Sequence, residues 1–210
     1  RRAVEEILAD FRSGRPMSRL VQGDVGSGKT MVAAAAAYCA AKNGRQTALM
    51  APTEILAKQH YDRLAPLSSA LGVRCALLTG SLSPAKKKEL RQKLADGEID
   101  LVIGTHALLT ESTVFSDLGL VIADEQHRFG VAQRAALLAK GQQPHLLIMS
   151  ATPIPRTLAL LLYGDLDVSI IDELPPGRLP VETFLVDERH RARLNGFIRR
   201  LTGEGRQVFV

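Results

Sequence analysis

Short apolar runs alternate with longer amphipathic stretches along the chain. The apolar runs, which are rich in Val, Ile and Leu, predict buried strands at 20–22, 46–51, 73–79, 101–104, 120–123, 146–149 and 168–171. The stretches around them predict helices at 1–12, 31–42, 54–71, 84–95 and 131–140. Strands that are apolar throughout are typical of a parallel sheet covered on both faces. The pattern therefore predicts an α/β fold, a doubly wound parallel sheet with helices on both faces.

The alternation of strands and helices is interrupted after Asp172. Three prolines and a glycine at 173–180 cannot continue a helix or a central strand, so this segment is predicted to be a linker. Beyond it, runs at 181–186 and 207–210 predict strands on either side of a helix at 189–201. We therefore expect a first domain at 1–172 and the beginning of a second α/β domain at 181–210. Because the chain begins with Arg1 and ends inside an apolar run, we expect it to be a piece of a longer protein.

Composition narrows the function classes. Of the 210 residues, 46% are hydrophobic and 23% are charged, which is typical of a globular protein with a sizeable core. The net charge of +5 suits a polyanion such as nucleic acid, but it fits an enzyme without such a partner equally well. With 4% aromatic residues and no Trp, a stacking platform for bases is not expected, so any nucleic acid would be held by its phosphates.

Cysteine, histidine and hydropathy patterns bear on compartment and cofactors. Cys39 and Cys75 fall in a predicted helix and a predicted strand, and they are interpreted as core residues of a reduced protein rather than as a disulfide. The five histidines have no metal-ligand spacing. No apolar run approaches the length of a membrane span, so we expect a cytoplasmic protein without a membrane partner.

Residues 23–30 spell G-x-x-x-x-G-K-T between a predicted strand and a predicted helix. Glycines let backbone N–H groups turn inward around phosphate oxygens, and the helix dipole points its positive end at them. Lys29 is expected to contact the β- and γ-phosphates, and the Thr30 hydroxyl to ligate Mg²⁺. The sequence thus predicts a nucleoside triphosphate site formed by Gly23, Asp24, Val25, Gly26, Ser27, Gly28, Lys29 and Thr30.

The predicted strand at 120–123 is followed by two acids, Asp124 and Glu125. A carboxylate at the tip of a strand adjacent to the phosphate loop can hold Mg²⁺ through its water shell, and Asp124 is the candidate for this role. Glu125 is predicted to orient or activate the attacking water. Acids at a helix start are often only caps, but Lys29 and Thr30 in the same chain favour the catalytic interpretation.

Several longer strings carry a family resemblance. Residues 124–130, D-E-Q-H-R-F-G, resemble motif II of superfamily 2 helicases, while 51–60, 104–108 and 150–152 resemble motifs Ia, Ib and III. With A-T-P-I-P-R-T-L at 151–158 and I-D-E-L-P-P-G-R at 171–178, they resemble the RecG family of bacterial ATP-dependent DNA helicases over essentially the whole chain. The related Mfd family usually has Glu where this chain has Gln126.

The resemblance implies a RecA-like motor that uses ATP and Mg²⁺ to unwind branched DNA, such as replication forks and Holliday junctions. It implies a catalytic group of Lys29, Asp124, Glu125, Gln126 and His127. It also implies coupling residues Ser150, Ala151 and Thr152, and DNA contacts, mainly to phosphates, by Pro52, Thr53, Gly104, Thr105 and His106. The chain would supply the first lobe of a monomeric motor, with a wedge domain before Arg1 and an arginine finger beyond Val210.

Other interpretations stay open at this point. Thr53 and Thr105 stand where a helix cap is as plausible as a DNA contact. The basic cluster of Lys86, Lys87, Lys88, Arg91 and Lys93 is interpreted as a solvated helix face. For function, the alternatives are an Mfd-like duplex translocase and, for this piece alone, a nucleotide-gated DNA-binding module without turnover.

Overall fold

The computed structural model describes residues 1–124, 131–151, 166–173 and 181–209. The chain divides into two compact units at 1–175 and 176–210, and each is described by itself. The first unit carries a seven-stranded sheet whose strand order is β3-β4-β2-β5-β6-β1-β7. The strands are β1 Ser18–Gly23, β2 Gln46–Met50, β3 Cys75–Leu78, β4 Leu101–Gly104, β5 Leu118–Asp124, β6 His145–Ser150 and β7 Asp167–Ile171.

Helices connect these strands and cover the sheet. They are α1 Arg2–Arg12, α2 Lys29–Lys42, α3 Glu54–Ala70, α4 Pro84–Ala95 and α5 Val131–Leu138, with a short 3₁₀ helix at His106–Leu108. The strand pairings in the described part of the chain are parallel, so the carboxyl ends of the strands lie along one edge. The predicted fold class, a doubly wound parallel sheet with helices on both faces, is confirmed.

Two hydrophobic cores lie on opposite faces of the sheet. Along β5, Leu120 and Ile122 belong to one core, whereas Val121 between them belongs to the other. Successive strand residues point to opposite faces, so an apolar run fills both cores at once. The first core contains residues of α1, α2 and α3, and the second contains residues of α4 and α5. This arrangement explains why β5 is buried at every position.

A buried guanidinium fastens α1 to the sheet. Arg19 of β1 donates to both carboxylate oxygens of Asp10 at 2.6 and 3.0 Å. The same guanidinium lies 3.2 Å from Glu6 Oε2 and 3.0 Å from the Ser169 hydroxyl. Helix α1 is thus tied to β1 and to the edge strand β7, as expected for a helix packed against the sheet.

The cysteines lie in α2 and β3, where the sequence predicts a helix and a strand. Cys39 and Cys75 are free thiols at half-buried positions. Burial raises the pKa of the Cys75 thiol to about 12. In the described ranges, no helix has the length and apolar character needed to cross a membrane.

The second unit differs from the sequence prediction. Its helix, α6, is found at Arg191–Gly203, but the strand predicted at 181–186 is wrong, because residues 181–187 have no regular structure. Residues 207–209 also lack strand structure, and Val210 and 174–180 of the predicted linker lie outside the described residues. A strand requires a hydrogen-bonded neighbouring strand. The described residues of this unit contain no strand with which 181–186 could pair. Local β propensity alone therefore did not produce one.

Candidate active site

The G-x-x-x-x-G-K-T segment forms a tight loop between the end of β1 and the start of α2. Gly26 and Gly28 have φ values of 82° and 95°, in the left-handed region that favours glycine. Gly28 is also the N-terminal cap of α2. The first turn of α2 therefore directs its N–H groups into the loop, which is the arrangement expected for phosphate binding.

Close packing at the start of the loop requires Gly23. A Cβ at this position would lie 2.6 Å from Ser27 Oγ and 2.9 Å from Ile171 Cβ. Within the part of the chain that the structure describes, the buried Ser27 hydroxyl has no hydrogen-bond partner. A buried hydroxyl without a partner is costly, and a phosphate oxygen in the loop would accept a hydrogen bond from it. The donor set of the loop therefore fits a bound phosphate chain.

Lys29 lies against the same loop. Its ammonium donates to the carbonyl of Gly23 at 2.7 Å and to that of Asp24 at 2.8 Å. The loop is further shaped by a hydrogen bond from the Val25 N–H to Asp24 Oδ1 at 2.7 Å. Thr30 follows Lys29 in the first turn of α2, so both side chains start from the helix end that faces the phosphate site.

Asp124 ends β5 on the same edge of the sheet as the loop. The sequence analysis placed its strand adjacent to the phosphate loop, but β6 lies between β5 and β1. Asp124 is level with Met149 of β6, which is level with Val21 of β1. Two interstrand steps separate Asp124 from β1 by about 10 Å. Asp124 alternates with Leu120 and Ile122, so its side chain is on the face covered by α2 and α3.

The sequence analysis missed the partner of Asp124. His60 of α3 places Nε2 2.6 Å from Asp124 Oδ2, and each residue is only 8% exposed. His60 is one of the buried residues of α3, which are Ala57, His60, Leu64 and Ser68. A histidine on an otherwise small and apolar helix stripe is a sequence signal for a buried polar contact, because an unpaired polar group there would be costly.

Several proposed catalytic and coupling residues cannot be placed. Glu125, Gln126, His127 and Thr152 lie outside the described residues. Ser150 is fully buried at the end of β6, level with Gln22 of β1. Ala151 follows it and is half-buried. Ser150 thus stands on the strand between the Asp124 strand and the phosphate-loop strand. In the described ranges, no group of three or more His, Cys, Asp or Glu residues could hold a metal ion. The oxygen atoms of Thr30 and Asp124 are the type of ligand that Mg²⁺ prefers.

The predicted DNA-contacting residues gather at the ends of β2 and β4. These two strands are neighbours, with Met50 paired to Gly104 and the Ala51 N–H donating to the Gly104 carbonyl at 2.9 Å. Pro52 and Thr53 follow β2, while Thr105 and His106 follow β4. The two segments therefore lie side by side at one edge of the sheet.

Some of these residues also have structural roles. Thr53 caps α3, with its hydroxyl accepting from the Leu56 N–H at 3.3 Å. A Cβ at Gly104 would lie 2.3 Å from the Leu78 carbonyl, so close strand packing requires glycine there. Thr105 is buried, whereas His106 is exposed. His106 is therefore the most accessible side chain of the 104–106 segment.

The basic cluster on α4 is consistent with a solvated helix face. Lys86 and Lys93 both pair with Glu89, at 3.0 and 2.9 Å. Arg91 instead donates to the hydroxyls of Thr110 and Thr113. These cations are engaged locally, which agrees with the structural interpretation of the cluster.

A cavity of about 590 Å³ lies at the opposite edge of the sheet, near the amino ends of β2, β5 and β6. Its lining includes Arg12, Tyr38, Lys42 and His145. Ligands of open α/β sheets bind at the carboxyl ends of the strands. The cavity is therefore separate from the phosphate loop and from Asp124.

Comparison with known proteins yields one family and many close relatives. The family model for DEAD/DEAH box helicases matches residues 1–161. The ATP-dependent DNA helicase RecG of Synechocystis sp. is 55% identical over 209 residues, which are 100% of this chain and 25% of that protein. RecG of Bacillus subtilis is 52% identical over 209 residues, covering 100% of this chain and 31% of that protein. The chain thus spans between a quarter and a third of the length of these relatives.

Solved structures support the same relationship. The structure of RecG bound to a three-way DNA junction has a TM-score of 0.82 and 49% identity, covering 97% of this chain and 27% of that one. A DEAD box protein from the hyperthermophile Methanococcus jannaschii has a TM-score of 0.63 and 20% identity, covering 95% of this chain and 55% of that one. The second similarity concerns the fold alone. The predicted resemblance to the RecG family is confirmed.

Proposed function

Because the chain belongs to the DEAD/DEAH box helicase family, we propose that it is a motor lobe of an ATP-dependent DNA helicase. By similarity to RecG, the protein would couple ATP hydrolysis to remodelling of branched DNA, such as forks and Holliday junctions, in recombination and repair. One observation carries the proposal: the loop with Lys29 and Thr30 and the carboxylate of Asp124 share one edge and one face of the sheet.

The nucleotide chemistry is assigned to residues at that edge. The backbone N–H groups of 23–30 would bind the phosphates, and the Lys29 ammonium would exchange the Gly23 and Asp24 carbonyls for β- and γ-phosphate oxygens. Thr30 and Asp124 would hold Mg²⁺, which, when bound, neutralises charge on the phosphate oxygens. Glu125 would orient the attacking water and accept its proton, as expected for a carboxylate that follows the metal-binding acid.

The relay from nucleotide to DNA is assigned to the neighbouring strand ends. Gln126 and His127 would contact the γ-phosphate. Ser150, Ala151 and Thr152 would transmit its presence or loss to the DNA-contacting residues. DNA would lie across the ends of β2 and β4, where Pro52, Thr53, Gly104, Thr105 and His106 are found. With the chain carrying a net charge of +5 and few aromatic residues, contacts to phosphates are favoured over base stacking.

Residues 181–210 would be the beginning of a second RecA-like lobe, after a linker at 173–180. Such a lobe supplies an arginine in trans in many phosphoryl-transfer enzymes, where it raises the rate by orders of magnitude. We therefore expect residues 1–210 alone to hydrolyse ATP very slowly. The intact protein is proposed to act as a monomer in the bacterial cytoplasm.

The test compares ATP hydrolysis by the intact protein with no DNA, linear duplex, forked duplex and a template carrying a stalled RNA polymerase. We expect forked DNA to stimulate hydrolysis most and to be unwound. Displacement of the polymerase without fork unwinding would favour an Mfd-like translocase instead. Binding of forked DNA without any ATP turnover would leave a nucleotide-gated binding module and refute the helicase proposal.

A further inference from the structure

Helix α3 carries a polar side chain at a position where its neighbours are packed against the sheet. Ala57, His60 and Leu64 recur at helical spacing, and all three are buried. Ala57 and Leu64 belong to the hydrophobic core on this face. Burying an imidazole among such residues is unfavourable unless its ring nitrogen is hydrogen-bonded. The compensating bond is the one to Asp124.

The geometry of this bond orients the carboxylate. Nε2 of His60 lies 2.6 Å from Oδ2 of Asp124. An ionised carboxylate only accepts, so the imidazole N–H is the donor. The terminal torsion of an aspartate is soft and roughly two-fold, so without a partner the two oxygens could rotate freely. A donor held by a buried helix fixes which oxygen faces α3 and which is left for a second contact.

The same helix begins at the expected DNA-contacting segment. Thr53 caps α3, and His60 follows seven residues later, a rise of about 10 Å along the helix. A helix is stiff along its axis, so a shift of its capped end moves His60 as well. The nucleotide and DNA sides of the lobe are therefore joined through α3 and one hydrogen bond.

We propose that His60 is a positioning residue that orients the Asp124 carboxylate and links α3 to the magnesium site. The inference rests on the proposed function, because it assumes that Asp124 serves Mg²⁺ and that the start of α3 contacts DNA. Residues that donate a hydrogen bond to a metal ligand orient that ligand, and their loss costs about 10-fold or more in metal affinity or activity. A histidine kept only for packing would be replaceable by an apolar residue of similar size.

The experiment uses three variants of the intact protein. His60→Gln keeps an N–H donor at a reach similar to Nε2, while His60→Leu fills the space without a donor. Leu64→Val perturbs the same buried face of α3 one turn away and is the matched control. The first readout is the Mg²⁺ concentration that supports half-maximal binding of a fluorescent ATP analogue, and the second is the ratio of ATP hydrolysis rates with and without forked DNA.

For His60→Leu we expect the Mg²⁺ requirement to rise about 10-fold and the stimulation by DNA to fall. His60→Gln should restore most of both, and Leu64→Val should change neither. An unchanged Mg²⁺ requirement in folded His60→Leu would overturn the positioning role, and a raised requirement with normal DNA stimulation would overturn the link through α3. If the His60→Leu chain does not fold, as judged by circular dichroism, His60→Met takes its place, because methionine also lacks a donor and adapts to irregular space; a raised Mg²⁺ requirement upholds the role and an unchanged one refutes it.

Failure of the proposed function would give a different result from failure of the His60 proposal. In that case the wild-type protein itself would show no DNA-stimulated hydrolysis. The effect of His60 on Mg²⁺-dependent nucleotide binding is measured without turnover and remains testable. The two hypotheses can therefore fail independently.

Discussion

The Lys29 ammonium donates to the Gly23 carbonyl at 2.7 Å, across the loop that both residues delimit. The contact closes the loop on itself and places the cation where phosphate oxygens would compete for it. A substitution at Lys29 would therefore remove a loop constraint and the proposed phosphate ligand together.

Lys29→Ala is expected to lower ATP hydrolysis by about 100-fold or more, because a positioned charge on the transferring phosphoryl group is lost. The rate is measured in the intact protein at saturating forked DNA. Lys42→Ala, at the other end of α2 and exposed, removes an equal charge and should have little effect. Normal turnover by Lys29→Ala would contradict the assignment of the loop.

Glu125→Gln should separate binding from chemistry. The change keeps the size of the side chain but removes the proton acceptor, so hydrolysis should fall by about 100-fold or more while nucleotide affinity is kept. Fluorescent-nucleotide binding and phosphate release give the two quantities. Glu98→Gln, at an exposed position before β4, is the control. Hydrolysis at the wild-type rate by Glu125→Gln would show that another group accepts the proton.

Asp10→Ala is expected to loosen α1. The carboxylate accepts two hydrogen bonds from Arg19, a guanidinium whose side chain is 10% exposed. Removing the Asp10 carboxylate leaves the buried Arg19 guanidinium with fewer hydrogen-bond acceptors. The free energy of opening of α1 should therefore fall by about 2 kcal/mol. Hydrogen exchange of the α1 amides measures this quantity. Glu5→Ala, which breaks only the exposed pair with Arg1, should have a much smaller effect, and equal effects would refute a special role for Asp10.

The two thiols should differ in reactivity. Burial raises the pKa of Cys75 from its ordinary value of 9.0 to about 12, which lowers the thiolate fraction at pH 8 about 1,000-fold. Burial raises the pKa of Cys39 as well, but the positive charge of Arg12 opposes the effect. Iodoacetamide should therefore label Cys39 before Cys75 in the folded protein, as followed by mass spectrometry. Faster labelling of Cys75 would contradict its burial in β3.

The same shift has a pH consequence of known sign. A thiol whose pKa is raised by folding favours the folded state below its unfolded pKa of 9.0. That contribution is lost as the pH rises toward about 12. Cys75→Ala should therefore reduce the loss of stability between these two pH values.

The sequence predicted most reliably those features in which a local residue pattern has a single physical cause. Strands such as β4 and β5 were predicted because runs that fill two cores must be apolar at every position. The phosphate loop was predicted because Gly23, Gly28, Lys29 and Thr30 stand at the spacing of the G-x-x-x-x-G-K-T motif. Both features are local, so neighbouring residues suffice to define them.

Features that depend on distant residues were missed. The position of β6 between β5 and β1 is a property of strand order, which no local pattern encodes. The partner of Asp124, His60, lies 64 residues away, and the resemblance of 51–60 to motif Ia assigns it no role. The run at 181–186 was interpreted as a strand from its composition, although a strand forms only when another strand accepts its hydrogen bonds.

The strand order sets a fixed span between the two proposed binding regions. From β4 to β1 the sheet makes four interstrand steps, through β2, β5 and β6, or about 19 Å. A sheet packed on both faces behaves as a rigid plate and resists stretching. Under the proposed function, ATP hydrolysis near β1 would leave this distance unchanged, so any movement along DNA would have to come from loops at the edge of the sheet or from rotation of the whole lobe.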